Sequence, residues 1–488
     1  MKLFRLCVLL FLGAKALAAE PMGAHQAESA DLSKQLASSD FTDRVLSTSA
    51  LATINIPENV EPAPTSHLQE DWSIRGQATY IYQKKNNFNS PYHSSNSLLN
   101  ATEGDLSPSY TFSGTAFIAK RLWQGSELYY NPEIFQGTPF SGGLVGLGGI
   151  QNGELQKGMF IPYTYYTARA FVRQTIGLGA QTEYLEGAID NHLGGYVDKN
   201  RVVLTYGKFA SLDIFDKNTL SHEPRTQFLN FSLFSMGAYG YAADVKGFTY
   251  GLVAEWYQDQ WIFKGGRLAV PTTPNANELD YTLKKDYVDQ IELTHKHRLL
   301  EQSGALRALV FQQRAFMATY QDALNQFYQN PTANSPNILT ARLGEQNKHG
   351  YGLNAEQAIT SDIGLFARWS WNDGQTETQT LDISRSTSGG VSIKGTQWGR
   401  PEDTFGLGAA RNSITGDEIK YLQLSGMTMF IGDSALAYKP EQIIETFYSF
   451  KAYKDMYFTA NLQRISNPAY NASRGPVNFG GLRVHMEF

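Results

Sequence analysis

The last twelve residues of the chain, VNFGGLRVHMEF at positions 477–488, alternate between apolar and polar side chains. The final apolar positions on one side of an extended strand are Leu482, Val484, Met486 and Phe488. The opposite side carries Arg483, His485 and Glu487. A two-residue period of this kind predicts a β-strand with one face in an apolar environment and the other in a polar one.

The place of this strand in the chain indicates what kind of sheet it joins. A strand at the edge of a sheet exposes unpaired backbone groups and promotes aggregation. Pairing with the first strand closes a barrel and removes both edges. We therefore predict an all-β fold, a transmembrane antiparallel β-barrel whose apolar face meets lipid and lipopolysaccharide. We also expect the apolar side of residues 477–488 to be the signal that the barrel-assembly machinery reads.

The first eighteen residues have the pattern of a secretory signal peptide. Lys2 and Arg5 precede an apolar run over residues 6–14, and Ala16-Leu17-Ala18 is a small-x-small cleavage pattern. The apolar run is too short to span a bilayer as a helix, which needs about 20 residues. We expect three segments in an outer-membrane protein of a Gram-negative bacterium: a cleaved signal peptide (1–18), a periplasmic extension and linker (19–71), and the barrel (72–488).

Composition is compatible with an exported membrane barrel and excludes several other classes. Aromatic residues make up 13% of the chain and charged residues 18%, whereas soluble domains average roughly 25% charged residues. Cys7, the only cysteine, lies in the predicted signal, so a mature chain would have neither disulfides nor cysteine metal sites. The net charge of −5 gives no reason to expect a nucleic-acid partner. A secreted all-β sandwich or propeller is the competing class that composition leaves open.

From Trp72 onwards, sixteen segments alternate in polarity and are separated by turn-rich sequence. In one of them Ile363 and Leu365 share a face, and Arg368 falls on the other. A charge turned towards mid-membrane would cost roughly 2–4 kcal/mol, so the apolar face is assigned to lipid. Short connections alternate with long ones, as in outer-membrane barrels. The connection 175–200 should be short but has 26 residues, which leaves eighteen strands possible.

The third long outer loop, residues 210–246, is distinguished by its length and its apolar content. It has 37 residues, and the part from Phe228 to Met236 is largely apolar. A loop of this kind does not remain free in water, so we expect it to fold into the lumen and narrow it, as in a porin. Its charged and titratable residues would then border the constriction: Asp213, Asp216, His222, Glu223 and Arg225. The alternative is that these residues only tie the loop to the barrel wall.

Several segments resemble the carbohydrate-selective porins of the OprB family from Gram-negative outer membranes. They are GQATY (76–80), SPY (90–92), ELYYNPE (127–133), GKF (207–209), DIFD (213–216), PRTQFLN (224–230), YKPEQI (438–443) and NPAYN (467–471). The resemblance extends over about residues 72–488. It implies a sixteen-stranded pore for passive uptake of sugars, and it reduces the objection that Pro132 cannot donate to a strand ladder. It does not indicate which sugar passes.

Inward charges and aromatic rings are the candidates for the wall of such a pore. A basic wall is predicted from Arg75, Arg169, Arg173 and Arg368. Its acidic counterparts are Glu133, Glu255 and Glu445. Arginine forks and carboxylates would offer paired donors and acceptors to sugar hydroxyls, and three aromatic rings would stack on pyranose faces: Tyr129, Phe135 and Tyr165. For each residue taken singly, the alternative is an ordinary solvated position in the lumen.

No enzyme motif is apparent in the sequence. There is no Gly-x-Ser-x-Gly and no His-Glu-x-x-His, and His222-Glu223 precedes Pro224, which rules out a metal-binding helix. We predict a porin for carbohydrates without catalytic residues, metal or cofactor. The alternatives are a general or organic-acid-selective porin and, in another class, an outer-membrane enzyme or adhesin. The pattern does not indicate the oligomeric state.

Overall fold

The structure is a computed structural model. It describes residues 69–100, 107–157, 163–179, 181–188 and 191–488. These residues all belong to one compact unit, Ser66–Phe488. The predicted signal peptide (1–18) and nearly all of the predicted extension (19–71) lie outside the described residues.

The described part of the chain is built mainly from strands that alternate with turns and long loops. The strands are β1 Trp72–Lys85, β2 Ser109–Trp123, β3 Ser126–Thr138, β4 Thr164–Gly177, β5 Thr182–Leu185, β6 Gly195–Asp198, β7 Arg201–Phe209, β8 Thr249–Gln258, β9 Trp261–Ala269, β10 Tyr287–Leu299, β11 Gln302–Met317, β12 Gly344–Ala358, β13 Ile363–Asn372, β14 Arg385–Gly395, β15 Arg400–Ser413, β16 Glu441–Tyr453, β17 Met456–Ser466 and β18 Val477–Glu487. The α-helices are α1 Phe231–Phe234, α2 Tyr320–Gln329 and α3 Gly416–Gln423. Among the described residues, no helix is long and apolar enough to cross a membrane.

Sixteen of the strands form one closed antiparallel barrel. Each pairs with its neighbours in sequence, except that β4 pairs with β7 and β1 closes the barrel on β18. The strands β5 and β6 pair only with each other, within the connection 175–200. The prediction of a sixteen-stranded transmembrane barrel is confirmed. The alternative of eighteen barrel strands is wrong, because the extra residues form a separate hairpin.

The closing seam depends on a close approach between Gly76 and Phe488. The Gly76 N–H donates to the Phe488 carbonyl at 2.7 Å, and the Phe488 N–H donates to the Gly76 carbonyl at 2.9 Å. A Cβ atom at position 76 would lie 2.3 Å from the Phe488 ring. Glycine at this position therefore lets the terminal aromatic ring lie against the first strand.

The two faces of the barrel carry the residue types that the alternation predicts. Leu306, Leu462 and Leu482 point outward and are 52%, 64% and 62% exposed. Arg368 and Arg483 point inward and are 3% and 1% exposed. An unpaired buried charge would be strongly destabilising, so the interior of the barrel has to supply partners for these arginines.

One strand pair departs from simple alternation. The register of β3 and β4 shifts at Pro132, so that Asn131 lies opposite Arg169 but Pro132 lies opposite Thr167. The skipped residue, Ala168, is a β-bulge, which reverses the inward and outward positions that precede it on β4. The prediction that Tyr165 lines the pore is therefore wrong: its side chain is 69% exposed on the lipid side.

The third long loop, residues 210–246, lies inside the barrel, as predicted. The Phe228 ring is fully buried, with ring centroids 5.4 Å from Phe366 on β13 and 5.0 Å from Phe447 on β16. Leu233 and Met236 are also fully buried. Because inward aromatic residues offer the loop an apolar platform, the hydrophobic effect holds it in the lumen.

Candidate functional site

Arg368 on β13 anchors the long loop to the wall. Its Nε donates to the Asp216 carboxylate at 3.0 Å, and its Nη1 and Nη2 donate to the carbonyls of Leu233 (2.8 Å) and Ser221 (2.6 Å). The side chains of Arg368 and Asp216 are only 1% and 0% exposed. Arg368, predicted as part of a basic pore wall, therefore lies in a buried anchor away from the aqueous passage.

Two further wall residues hold the loop through its backbone. Glu445 accepts the N–H groups of Leu229 (2.6 Å) and Asn230 (2.9 Å). Arg483 donates to the carbonyls of Pro224 (3.0 Å), Thr226 (2.7 Å) and Gln227 (2.7 Å). These contacts satisfy backbone groups that would otherwise be buried without partners. For Asp216 the alternative prediction, a role in tying the loop to the wall, fits better. Arg368 and Glu445 are buried partners of the loop, neither solute contacts nor solvated lumen residues.

A second group of contacts centres on Glu133, which is 1% exposed on β3. It accepts from Arg225 of the loop at 2.8 Å, from Lys157 at 3.2 Å and from the Tyr166 hydroxyl. Arg225 also donates to Glu154 at 3.0 Å. Two acids and two bases thus form one network in which each charge has an opposite partner.

Beside this network, Arg169 on β4 and Asp213 of the loop form a bidentate ion pair with both contacts at 2.6 Å. Their side chains are 15% and 28% exposed, so the pair borders solvent. The Phe248 ring lies next to it, with the Arg169 guanidinium 5.3 Å from the ring centroid. We use the name eyelet for this group of residues: Glu133, Glu154, Lys157, Tyr166, Arg169, Asp213, Arg225 and Phe248.

The loop contributes fixed charges to the eyelet. Burial raises the pKa of the Asp213 carboxyl, but the Arg169 guanidinium and its hydrogen bonds outweigh burial and hold that pKa below its usual value. Burial, together with the positive charges of Lys217 and Arg368, lowers the pKa of His222 to about 3. At neutral pH Asp213 is therefore ionised and His222 is neutral.

The profile of the family described as "Carbohydrate-selective porin, OprB family" matches residues 119–488. The chain belongs to this family. It is a carbohydrate porin of the Gram-negative outer membrane, with sugars as its solutes. No curated protein sequence matches it significantly.

Among solved structures, the high-pH structure of Pseudomonas putida OprB is similar to this porin with a TM-score of 0.63 at 16% identity, over 86% of this chain and 94% of that chain. The low-pH structure of the same protein aligns with a TM-score of 0.45 at 13% identity, over 86% and 93% of the two chains. The outer membrane channel DcaP of Acinetobacter baumannii aligns with a TM-score of 0.45 at 9% identity, over 86% and 97%. The first of these supports the barrel fold.

Three residues predicted for the constriction lie instead at the periplasmic mouth of the porin. Arg75 pairs with Glu70 at 2.7 Å. Tyr129 is 1% exposed and stacks on Phe171, with ring centroids 4.8 Å apart. The Arg173 guanidinium lies 5.0 Å from the Tyr129 ring centroid. Because Arg169 and Arg173 are four residues apart, about 13 Å along the strand, they do not form one wall at one level.

Of the remaining predicted residues, Glu223 is exposed and accepts the Arg225 N–H at 3.0 Å. Glu255 accepts from the Tyr257 hydroxyl at 3.0 Å, and Phe135 is fully buried. Sequence reasoning missed Glu154, Lys157, Tyr166 and Phe248. Three of these lie outside barrel strands, where polarity has no period to follow, and Tyr166 was hidden by the β-bulge. Within the described residues, no three His, Cys, Asp or Glu side chains are grouped to hold a metal ion.

Proposed function

We propose that neutral saccharides diffuse through the barrel past the eyelet and bind there weakly through the Arg169–Asp213 pair. This pair carries the proposal because it is bidentate, partly exposed and shared between the wall and the loop. A guanidinium offers donors and a carboxylate offers acceptors at fixed positions, and a sugar hydroxyl needs one of each.

The charge balance of the eyelet supports a neutral solute. Lys157 has Glu133 and Glu154 as partners at 3.2 Å and 2.9 Å, and Arg225 has the same two acids at 2.8 Å and 3.0 Å. An organic-acid-selective pore would need cations without carboxylate partners, since a solute carboxylate must compete for them. Because each of these charges has an opposite partner, the group exerts little net field on the passage, and the partly exposed Arg169–Asp213 pair supplies the hydrogen-bonding groups.

An aromatic ring packs against the charged groups of the eyelet. Phe248 lies within 5.9 Å of the Lys157 amine and 6.0 Å of the Tyr166 ring. Phe248 is only 3% exposed, so its ring supports the cations of the eyelet and is not itself a stacking surface for a sugar. This arrangement favours passage of hexoses and short oligosaccharides by diffusion, without catalysis or a cofactor.

The test is single-channel current in planar bilayers with glucose, maltose and succinate added in turn. Asp213→Asn leaves the side-chain volume unchanged but removes the carboxylate that fixes the Arg169 fork. We expect sugars to interrupt the current of this variant less than that of the unaltered porin, and succinate to interact with its channel more strongly. The matched control is Asp289→Asn, which breaks the outward-facing Arg267–Asp289 pair. It should change neither the interruption of the current by sugars nor the interaction with succinate.

We further propose how the porin reaches its membrane. Residues 1–18 act as a signal peptide cleaved after Ala18, and Leu482, Val484, Met486 and Phe488 form the signal for barrel assembly. The outward exposure of Leu482 and Phe488, 62% and 70%, supports the second role. Mass spectrometry of the membrane-inserted chain tests the cleavage site.

A further inference from the structure

The hairpin within the connection 175–200 folds back over the periplasmic mouth of the barrel. We define the strap as residues 181–188 and 191–198. Its strands β5 and β6 pair from Thr182 opposite Asp198 to Leu185 opposite Gly195. The connection leaves β4 and re-enters β7 at the end that carries the short turns, which is the periplasmic end of such a barrel.

The tip of the strap packs on the inner wall. Leu193 is 4% exposed and belongs to the same apolar cluster as Tyr129 and Phe171, which point inward from β3 and β4. The Leu193 N–H donates to the Tyr129 hydroxyl at 3.3 Å. Since burial of a leucine side chain is favourable, these contacts hold the tip inside the mouth.

Arginines of the wall donate hydrogen bonds to backbone carbonyls at the tip of the strap. Arg173 donates to the Asn191 carbonyl at 2.7 Å, and Arg121 donates to the Gly194 carbonyl at 3.4 Å. The Gly194 N–H donates to Glu70 at 2.7 Å, and Glu70 pairs with Arg75. With the contact to Tyr129 on β3, the strap is thus linked to inward positions of β1, β2, β3 and β4, four adjacent strands.

The charges of the strap and of the wall beneath it are opposite. The strap carries Glu183, Glu186 and Asp198 and has neither lysine nor arginine. The inward wall at this level carries two acids, Glu127 and Glu255, and four arginines: Arg75, Arg121, Arg173 and Arg201. Arg121 is paired with Glu127 at 2.9 Å, and Arg75 with Glu70. Arg201 is paired with Glu183 at 2.7 Å. Removing the strap would leave Arg201 without that carboxylate and Arg173 without its carbonyl.

We propose that the strap is a second selectivity element, which narrows the periplasmic mouth, neutralises Arg201 and engages Arg173, so that the exit favours neutral solutes over anions. The proposal deepens the proposed function, because it concerns the exit of the same sugar path. Its readouts are ion currents, so it stands or fails separately from sugar passage through the eyelet.

The test is a variant that lacks residues 181–198, studied as single channels in planar bilayers. The deletion leaves a short turn, because the Leu178 N–H already donates to the Asn200 carbonyl at 2.9 Å. We expect conductance in potassium chloride to rise roughly 1.5-fold or more, and the chloride-to-potassium permeability ratio to rise about twofold. Conductance and reversal potential equal to those of the unaltered porin would overturn the proposal.

A charge variant decides the question if the deletion does not assemble. Glu183→Gln keeps the strap and removes the carboxylate that pairs with Arg201. It should raise the chloride-to-potassium permeability ratio with little change in conductance. The matched control is Glu301→Gln, the same change in another periplasmic turn, where Glu301 is exposed. If Glu183→Gln and Glu301→Gln give the same reversal potential, the strap does not set selectivity.

Discussion

Arg169 on β4 and Asp213 on the long loop form two contacts of 2.6 Å, so one ion pair joins the barrel wall to the segment folded inside it. The pair is partly exposed, in contrast to the sealed Arg368–Asp216 anchor. Solvent reaches the first pair and is excluded from the second. The difference separates a contact available to solutes from a contact that only holds the loop.

Replacing Arg169 with lysine tests whether sugar binding needs the planar guanidinium. Arg169→Lys keeps the positive charge but removes the planar pair of donors that fits a carboxylate and a hydroxyl together. Losing one or two hydrogen bonds of about 1 kcal/mol each should weaken sugar binding roughly five- to thirtyfold. Sugar-induced current noise measures this affinity. Unchanged affinity would contradict the role given to the guanidinium, and Arg267→Lys on the outer face is the matched control.

Replacing Arg368 with methionine tests the anchor. Burial already raises the pKa of the Asp216 carboxyl, and without Arg368 that carboxyl would lose its charged partner, at a cost of about 3–5 kcal/mol. We expect the loop to leave the wall and trypsin to cut the intact barrel at Lys217 or Arg225. Asp216→Asn added to Arg368→Met should restore much of the protection.

The control for this experiment is Arg411→Met, because Arg411 is exposed on β15. It removes the same charge without touching the loop and should leave the protease resistance of the porin unchanged. Equal resistance of Arg368→Met and Arg411→Met would mean that apolar packing around Phe228 holds the loop without the ion pair.

Asp382, in the outer loop between β13 and β14, makes the stability of that loop depend on pH. Its side chain is 3% exposed, and burial raises its pKa to about 6 although the Thr428 hydroxyl donates to it at 2.7 Å. The protonated form is therefore favoured in the folded loop. The resulting stabilisation is fully present below the ordinary pKa of about 4 and is lost as pH rises through about 6.

Hydrogen exchange of residues 373–384 should accordingly be slower at pH 4.5 than at pH 7.5, after correction for intrinsic rates. Asp382→Asn is neutral at both values, so it should remove this difference and retain the slower exchange at pH 7.5. Asp417→Asn, at the start of α3, serves as the comparison. A difference that persists in Asp382→Asn would assign the pH dependence to another group.

The barrel itself could be predicted because lipid and lumen impose opposite demands on alternate residues. Strand number and the inward position of Arg368 and Arg483 followed from that period, and the burial of the long loop followed from the apolar stretch around Phe228. The Tyr165 prediction failed because one skipped residue, Ala168, shifts the period without leaving a mark in polarity.

The partners of inward charges could not be predicted, because they belong to loops that have no period. Arg169 and Arg368 are both arginines at inward strand positions in the sequence. Arg169 pairs with the partly exposed Asp213, whereas Arg368 pairs with the buried Asp216. The sequence predicts Arg75 and Arg173 in the constriction, whereas Arg75 contacts Glu70 and Arg173 contacts the strap. Lys157 and Phe248 approach each other only after two loops enter the same lumen.

Swelling of liposomes that contain the purified porin, with glucose and succinate at equal osmolarity, measures most directly whether paired charges select neutral sugars. We expect glucose to enter faster than succinate, and we expect Asp213→Asn to reduce the difference between the two rates. Faster entry of succinate through the unaltered porin, or equal rates for the two solutes, would contradict it.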